Sequence, residues 1–121
     1  MDNITLVGQQ GQVVCERCEI AESSLKRVRG LLGRKELVNG DGLLIRPTWS
    51  IHTWFMRFPI DVVFLDRDLT VLKLREHMSP WKAAAHRGAH SALELPAGEA
   101  QRAGIQIGDR LAWGSLEPTP T

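Results

Sequence analysis

The sequence is short of several things, and each shortage excludes something. It has only two cysteines, Cys15 and Cys18, too few for a disulfide framework. It has no apolar run of about 18 residues, so no segment reads as a membrane-spanning helix. Its start, Met-Asp-Asn-Ile-Thr-Leu-Val-Gly-Gln-Gln, lacks a basic region followed by an apolar core. That is not the pattern of a secretory signal, and a cytoplasmic location is expected. Charge of one sign is not in excess: 15 basic and 14 acidic side chains leave a net charge of +1. Nucleic-acid binders carry a marked positive excess on one face, so no nucleic-acid partner is expected. There are no internal repeats. No serine or cysteine nucleophile has a partner at a recognisable spacing. Gly98, Gly104 and Gly108 are turn and cap positions without the strand-then-helix order of a dinucleotide loop, so no cofactor is expected.

What is present describes an ordinary folded chain. Its 121 residues fit one domain, expected over 1–114 with a flexible tail at 115–121. Hydrophobic residues are 43% and charged residues 24%, far from a disordered composition. A chain of this length buries roughly two thirds of its unfolded surface.

Eleven glycines and six prolines cut the chain into short apolar runs. Ile4–Val7 and Gln12–Cys15 flank Gly8-Gln9-Gln10-Gly11 and predict a β-hairpin. Leu25, Val28 and Leu32 lie on one helical stripe, capped by Ser23 or Ser24 and ended by Gly33. Lys26, Arg27, Arg29, Arg34 and Lys35 cover the rest of this basic helix at 25–35. Short strands are predicted at Leu43–Arg46, His52–Met56, Ile60–Leu65, Leu69–Glu76, Ser91–Leu95 and Arg110–Trp113, with 60–65 and 69–76 as a hairpin. Residues 78–90 predict a long surface loop, and Ala97–Ala103 a short helix between Pro96 and Gly104. Helices do not alternate with strands, so a parallel βαβ sheet is not expected. The fold class that follows is mainly β: a compact antiparallel barrel or sandwich-like domain with two short helices.

Residues 52–66, His-Thr-Trp-Phe-Met-Arg-Phe-Pro-Ile-Asp-Val-Val-Phe-Leu-Asp, are the richest stretch. They hold one of four tryptophans and all three phenylalanines, with His52, Arg57 and Asp61 set among them. Charge inside so apolar a run must find partners or face a cleft. In an extended segment His52, Trp54 and Met56 share one face. Pro59 is expected to bend the chain and bring Asp61 back beside Arg57. Such a pair is either a structural stitch or the mouth of a Trp-walled pocket for a carboxylate, amide or sugar. Glu94, between Leu93 and Leu95, faces solvent or the interior. If inward it needs a cation such as Arg57 or His52, and with Asp61 it makes a carboxylate pair of the kind that splits pKa values.

Cys15 and Cys18, if strand continues through 18, point to opposite faces about 10 Å apart at roughly 3.3 Å per residue. That is too far for a disulfide. A zinc site needs two further ligands. His86-x3-His90 has the local spacing, but the intervening chain is nothing like a finger, so no metal is expected.

Five ordered segments carry a resemblance: Arg-Gly-Leu-Leu-Gly-Arg (29–34), Gly-Leu-Leu-Ile (42–45), the run from Thr53 to Asp66, Leu-Glu-Leu-Pro-Ala-Gly (93–98) and Gly-Ile-Gln-Ile-Gly-Asp (104–109). Over about residues 20–113 the chain resembles the family termed domain of unknown function 192. The resemblance implies a compact β-barrel or sandwich-like domain and no established activity.

The expected function is binding of a small polar ligand or a partner segment in a Trp-lined cleft, with His52, Trp54, Met56, Arg57, Asp61 and Glu94 as the site residues. Two rivals stand beside it. One is a hydrolase-type enzyme using Asp61 and Glu94 with His52. The other is an accessory protein docking through the basic helix 25–35.

Overall fold

The computed structural model describes residues 4–22, 37–54 and 56–114. The basic helix expected at 25–35 and the tail expected at 115–121 lie outside them. The described elements are β1 (Ile4–Val7), β2 (Val13–Ala21), β3 (Asp41–Ile45), β4 (Ser50–His52), β5 (Ile60–Leu65), β6 (Val71–Met78), β7 (Ala83–Ala85), β8 (Ser91–Pro96), α1 (Glu99–Arg102) and β9 (Ala112–Gly114). The domain is mainly β, as its short apolar runs and frequent turn residues dictate.

Seven strands form one sheet in the order β6-β5-β8-β3-β2-β1-β9, and β4 and β7 form a separate two-stranded ribbon. Every residue of β5 and β8 is buried. Both strands lie inside the sheet and are covered on both faces, which is why Ile60–Leu65 reads as a continuous apolar run rather than an alternation. The expected hairpins form, β1 with β2 and β5 with β6.

Two expectations are corrected. The sheet is mixed, because β2 runs parallel to β3 from Arg17↔Asp41 to Ala21↔Ile45. A parallel pair of this kind cannot be joined by a hairpin turn. Nor is the sheet closed into a barrel: β6 and β9 are its two edges. They approach at the single bridge Thr70↔Arg110, where Val71 N–H donates to Asp109 O (2.8 Å) and Leu111 N–H to Leu69 O (2.9 Å).

The sheet's two faces carry two apolar clusters. One gathers Leu6, Val14, Leu44, Val63, Leu65 and Leu93 with Ala100 of α1. The other gathers Leu43, Ile45, Ile60, Val62 and Phe64 with Ile51 and Ala84 of the ribbon. The ribbon therefore lies over the second face, and residue parity along β5 and β8 decides which cluster each side chain enters.

Candidate functional site

The ribbon pairs Ser50 with Ala85, Ile51 with Ala84 and His52 with Ala83. Ile51 and Ala84 are buried against the sheet, while Ser50, His52, Ala83 and Ala85 are exposed. Its outward face is therefore small and flat apart from His52. Backbone bonds hold one end, with Thr48 N–H on His90 O (2.9 Å) and His86 N–H on Trp49 O (2.8 Å). At the other end Thr53 is fully buried. Its hydroxyl donates to Ser79 O (2.6 Å) and accepts from Lys82 N–H (2.9 Å). Thr53 N–H donates to Lys82 O (2.8 Å), and Trp81 N–H to Thr53 O (3.1 Å).

Thr53 thus ties the chain just after β4, next to Trp54, to the turn before β7 that carries Trp81. The His52 ring stacks on Trp54, with centroids 4.7 Å apart and 28° between planes. Trp81 has φ of +66°, in the left-handed region. For a residue with a Cβ that costs roughly 1–2 kcal/mol. Exposure is 50% for Trp49, 48% for Trp54 and 61% for Trp81. An indole normally contributes its large area to a core. Here three are left about half open, Trp54 and Trp81 at one end of the ribbon and Trp49 at the other.

The six residues expected from the sequence do not form one cluster. His52 and Trp54 are together on the outward side of the ribbon. Met56 is buried in the second apolar cluster, beneath the ribbon. Arg57 is exposed. The expected Arg57–Asp61 ion pair is not formed, because Asp61 is fully buried and its oxygens are taken by the backbone. Asp61 Oδ1 accepts from His77 N–H (2.8 Å), and Oδ2 accepts from Gly98 N–H (3.0 Å) and Ala100 N–H (2.9 Å). Gly98 caps α1 with φ of +95° and offers no side chain, so Asp61 supplies from β5 the acceptor that a capping residue usually provides.

Nor do Asp61 and Glu94 make a carboxylate pair. Val62 pairs with Glu94 and Asp61 with Leu95, so their side chains leave the sheet by opposite faces. The hydrolase reading loses the arrangement it rested on. Glu94 sits 4% exposed on the ribbon side, between Leu43 and Val62 on its neighbouring strands. Burial alone pushes its carboxyl up to about 8 from an ordinary 4.5. Near neutral pH it is held mostly as the neutral acid.

The cysteines also differ from expectation. Register shifts in the β1–β2 pairing put Cys15 opposite Leu6 and Cys18 opposite Ile4, and both enter the same apolar cluster as buried free thiols. A bulge breaks the strict alternation that would have set them on opposite faces. The Cys15 thiol donates to Gly40 O (3.5 Å) and the Cys18 thiol to Glu19 O (3.7 Å). The neighbouring Cys18 thiol holds Cys15 below the ordinary thiol value, while Cys15 and burial push Cys18 up. Among the described residues no group of three or more His, Cys, Asp or Glu could hold a metal ion.

Sequence reasoning missed Trp49, Thr53 and Trp81. The available signal was the Trp81-Lys82-Ala83-Ala84-Ala85 stretch inside a segment taken for loop.

With this geometry in hand, comparison with known proteins identifies the kind of protein it is. The chain matches the DUF192 family model, described as Uncharacterized ACR, over residues 5–113, and it belongs to that family. Similar curated proteins are uncharacterised UPF0127 proteins. One from Pyrococcus furiosus is 34% identical over 116 residues, covering 88% of this chain and 95% of the relative. One from Thermococcus sibiricus is 34% identical over 110 residues, covering 86% and 70%. Among solved structures, a protein of unknown function from Novosphingobium aromaticivorans matches with a TM-score of 0.75 and 28% identity, covering 92% of this chain and 84% of that one. A Sinorhizobium meliloti protein shares the fold at a TM-score of 0.80 and 23% identity, covering 93% and 96%. Among the described residues no helix is long and apolar enough to cross a membrane.

Proposed function

We propose that this protein is a binding domain that takes a small saccharide on the outward face of the β4–β7 ribbon. The observation that carries the reading is Trp81. It adopts a left-handed φ of +66° and is 61% exposed. Both features cost stability, and strained residues cluster at functional positions. Trp54 is half open at the same end of the ribbon and Trp49 at its far end, and neighbouring exposed apolar groups mark interaction sites more than scattered ones do.

The chemistry favours a sugar over a peptide segment. A peptide needs pockets for its side chains. The outward residues Ser50, Ala83 and Ala85 leave a flat strip instead. A sugar ring has one apolar C–H face, which packs on an indole, and a rim of hydroxyls. His52, held in place by its stack on Trp54, and Ser50 offer hydrogen-bonding groups for that rim. Of the six residues expected from the sequence, His52 and Trp54 would touch the ligand. Met56 would support the ribbon from below, and Arg57 would lie at the margin. Asp61 and Glu94 would act only through the fold.

The test is a titration of intrinsic tryptophan fluorescence with cellotriose, maltotriose and chitotriose, and with an uncharged hexapeptide. At least one trisaccharide gives a saturable change that Trp81→Ala and Trp54→Ala each weaken at least tenfold. Saturable binding of the peptide alone, or no saturable binding at all, overturns the proposal.

A further inference from the structure

A cleft elsewhere on the molecule shares no residue with the ribbon. It is an open cleft of about 800 Å³ between the β1–β2 turn, the end of β3, the β5–β6 turn and β9. That lies within the roughly 300–1,000 Å³ of small-molecule sites. Three arginines line it, Arg46, Arg67 and Arg110, against a single carboxylate, Asp68. Trp113 stands on its wall. In a chain whose net charge is only +1, three guanidinium groups around one hollow are a local concentration of positive charge.

The cleft is built rather than incidental. Arg110 is fixed at both ends: its backbone N–H donates to Gln9 Oε1 (2.9 Å) and its Nε donates to Asp68 O (3.3 Å). The turn carrying Arg67 is fixed as well. Asp66 Oδ1 accepts from Asp68 N–H (2.8 Å) and Thr70 N–H (2.9 Å), and Leu69 takes φ of +66°. Arg67 itself is exposed and, among the described residues, joins none of the ion pairs. Arg46 meets Glu22 only at 3.5 Å, from a carboxylate that is itself 66% exposed. A smaller cleft of about 420 Å³ adjoins the first across Arg67 and Asp68 and runs on to His90.

We infer that this cleft binds a nucleoside phosphate, with the phosphates on Arg67 and Arg110, Arg46 supporting them, and the flat base against Trp113. A guanidinium meets two phosphate oxygens at once in its own plane. An indole offers the base a matching flat face. A bare anion would use the arginines and leave the indole wall idle. The adjoining cleft gives a longer phosphate chain room to pass Arg67.

The experiment is calorimetric titration of the full chain with ADP, pyrophosphate and adenosine in about 150 mM salt, which weakens purely diffuse attraction. The expected result is saturable ADP binding, with pyrophosphate and adenosine each weaker by tenfold or more. Arg67→Gln sits on an exposed turn and leaves the melting temperature unchanged, yet it weakens ADP at least tenfold. Trp113→Leu weakens ADP and leaves pyrophosphate unaltered. Pyrophosphate binding as tightly as ADP would reduce the cleft to a simple anion site and overturn the proposal. So would the absence of saturable ADP binding, or an Arg67→Gln variant that binds ADP like the parent. Trp54→Ala should not change ADP binding, which separates a failure here from a failure of the saccharide reading.

Discussion

Asp61 and Glu94 stand one register step apart on neighbouring strands and leave the sheet by opposite faces. Two buried carboxyl groups that the sequence suggests as a pair are therefore solved separately. Asp61 is met by three backbone N–H groups from the ends of β6 and α1. Glu94 is set among apolar side chains, and burial is what moves its pKa.

For Asp61 the expectation is a large and purely structural effect. Asp61→Ala leaves the amides of His77, Gly98 and Ala100 without their acceptor. Each stranded buried group costs about 1–3 kcal/mol, so the total is several. Arg57→Ala, at an exposed position, stays within about 0.5 kcal/mol. Urea unfolding of both variants checks this. Equal losses would mean that the two side chains depend on each other after all.

Glu94 makes stability depend on pH. Its folded pKa of about 8 lies above the ordinary 4.5, so folding favours the neutral acid. The contribution is complete below pH 4.5 and is lost as pH rises to about 8, with a slope of about 1.4 kcal/mol per unit for one proton. Glu94→Gln keeps the shape and carries no charge, so it should flatten this part of the profile and raise the melting temperature at pH 8. Melting curves of parent and variant from pH 5 to 9 decide it. Parallel profiles would show that Glu94 does not titrate in that window.

Gly42 marks a close approach between β2 and its parallel neighbour. A Cβ there would lie 2.7 Å from Cys15 Sγ and 3.3 Å from the Glu94 carbonyl oxygen. Gly42→Ala should destabilise by about 1–3 kcal/mol, as overpacking does. Cys15→Ala removes the nearest atom, so the double variant should recover part of that loss beyond additivity. A simple sum of the two single losses, measured by denaturant unfolding, would show that the thiol is not what resists the methyl group.

Much of the fold was legible because burial leaves a pattern in residue type. Ile60–Leu65 reads as an interior strand since both its faces are covered. Gly8–Gly11 reads as a hairpin turn because few residues but glycine reach φ of +83° as Gly11 does. Other features leave no such mark. The acceptor role of Asp61 depends on backbone amides, which every residue but proline carries, as far as 39 residues away. The bulge that turns Cys15 and Cys18 to one side is a register property of two strands. The ribbon strand Ala83–Ala85 has weak intrinsic β preference and forms because Ala84 packs on the sheet and Thr53 fixes the turn before it. Of the site, His52 and Trp54 were visible as a shared face. Trp81 joins them only through a contact between distant segments.

The account rests on the three tryptophans of the ribbon acting together as a recognition surface. The most direct measurement is a two-dimensional nitrogen–proton spectrum of the indole N–H groups during titration with the trisaccharide that gives the largest fluorescence change. The chain has four tryptophans and so four such signals. The account predicts that Trp54 and Trp81 shift together with one dissociation constant, Trp49 less, and Trp113 not at all. Shifts confined to Trp113, or no shift in Trp54 and Trp81 at saturating sugar, would contradict it.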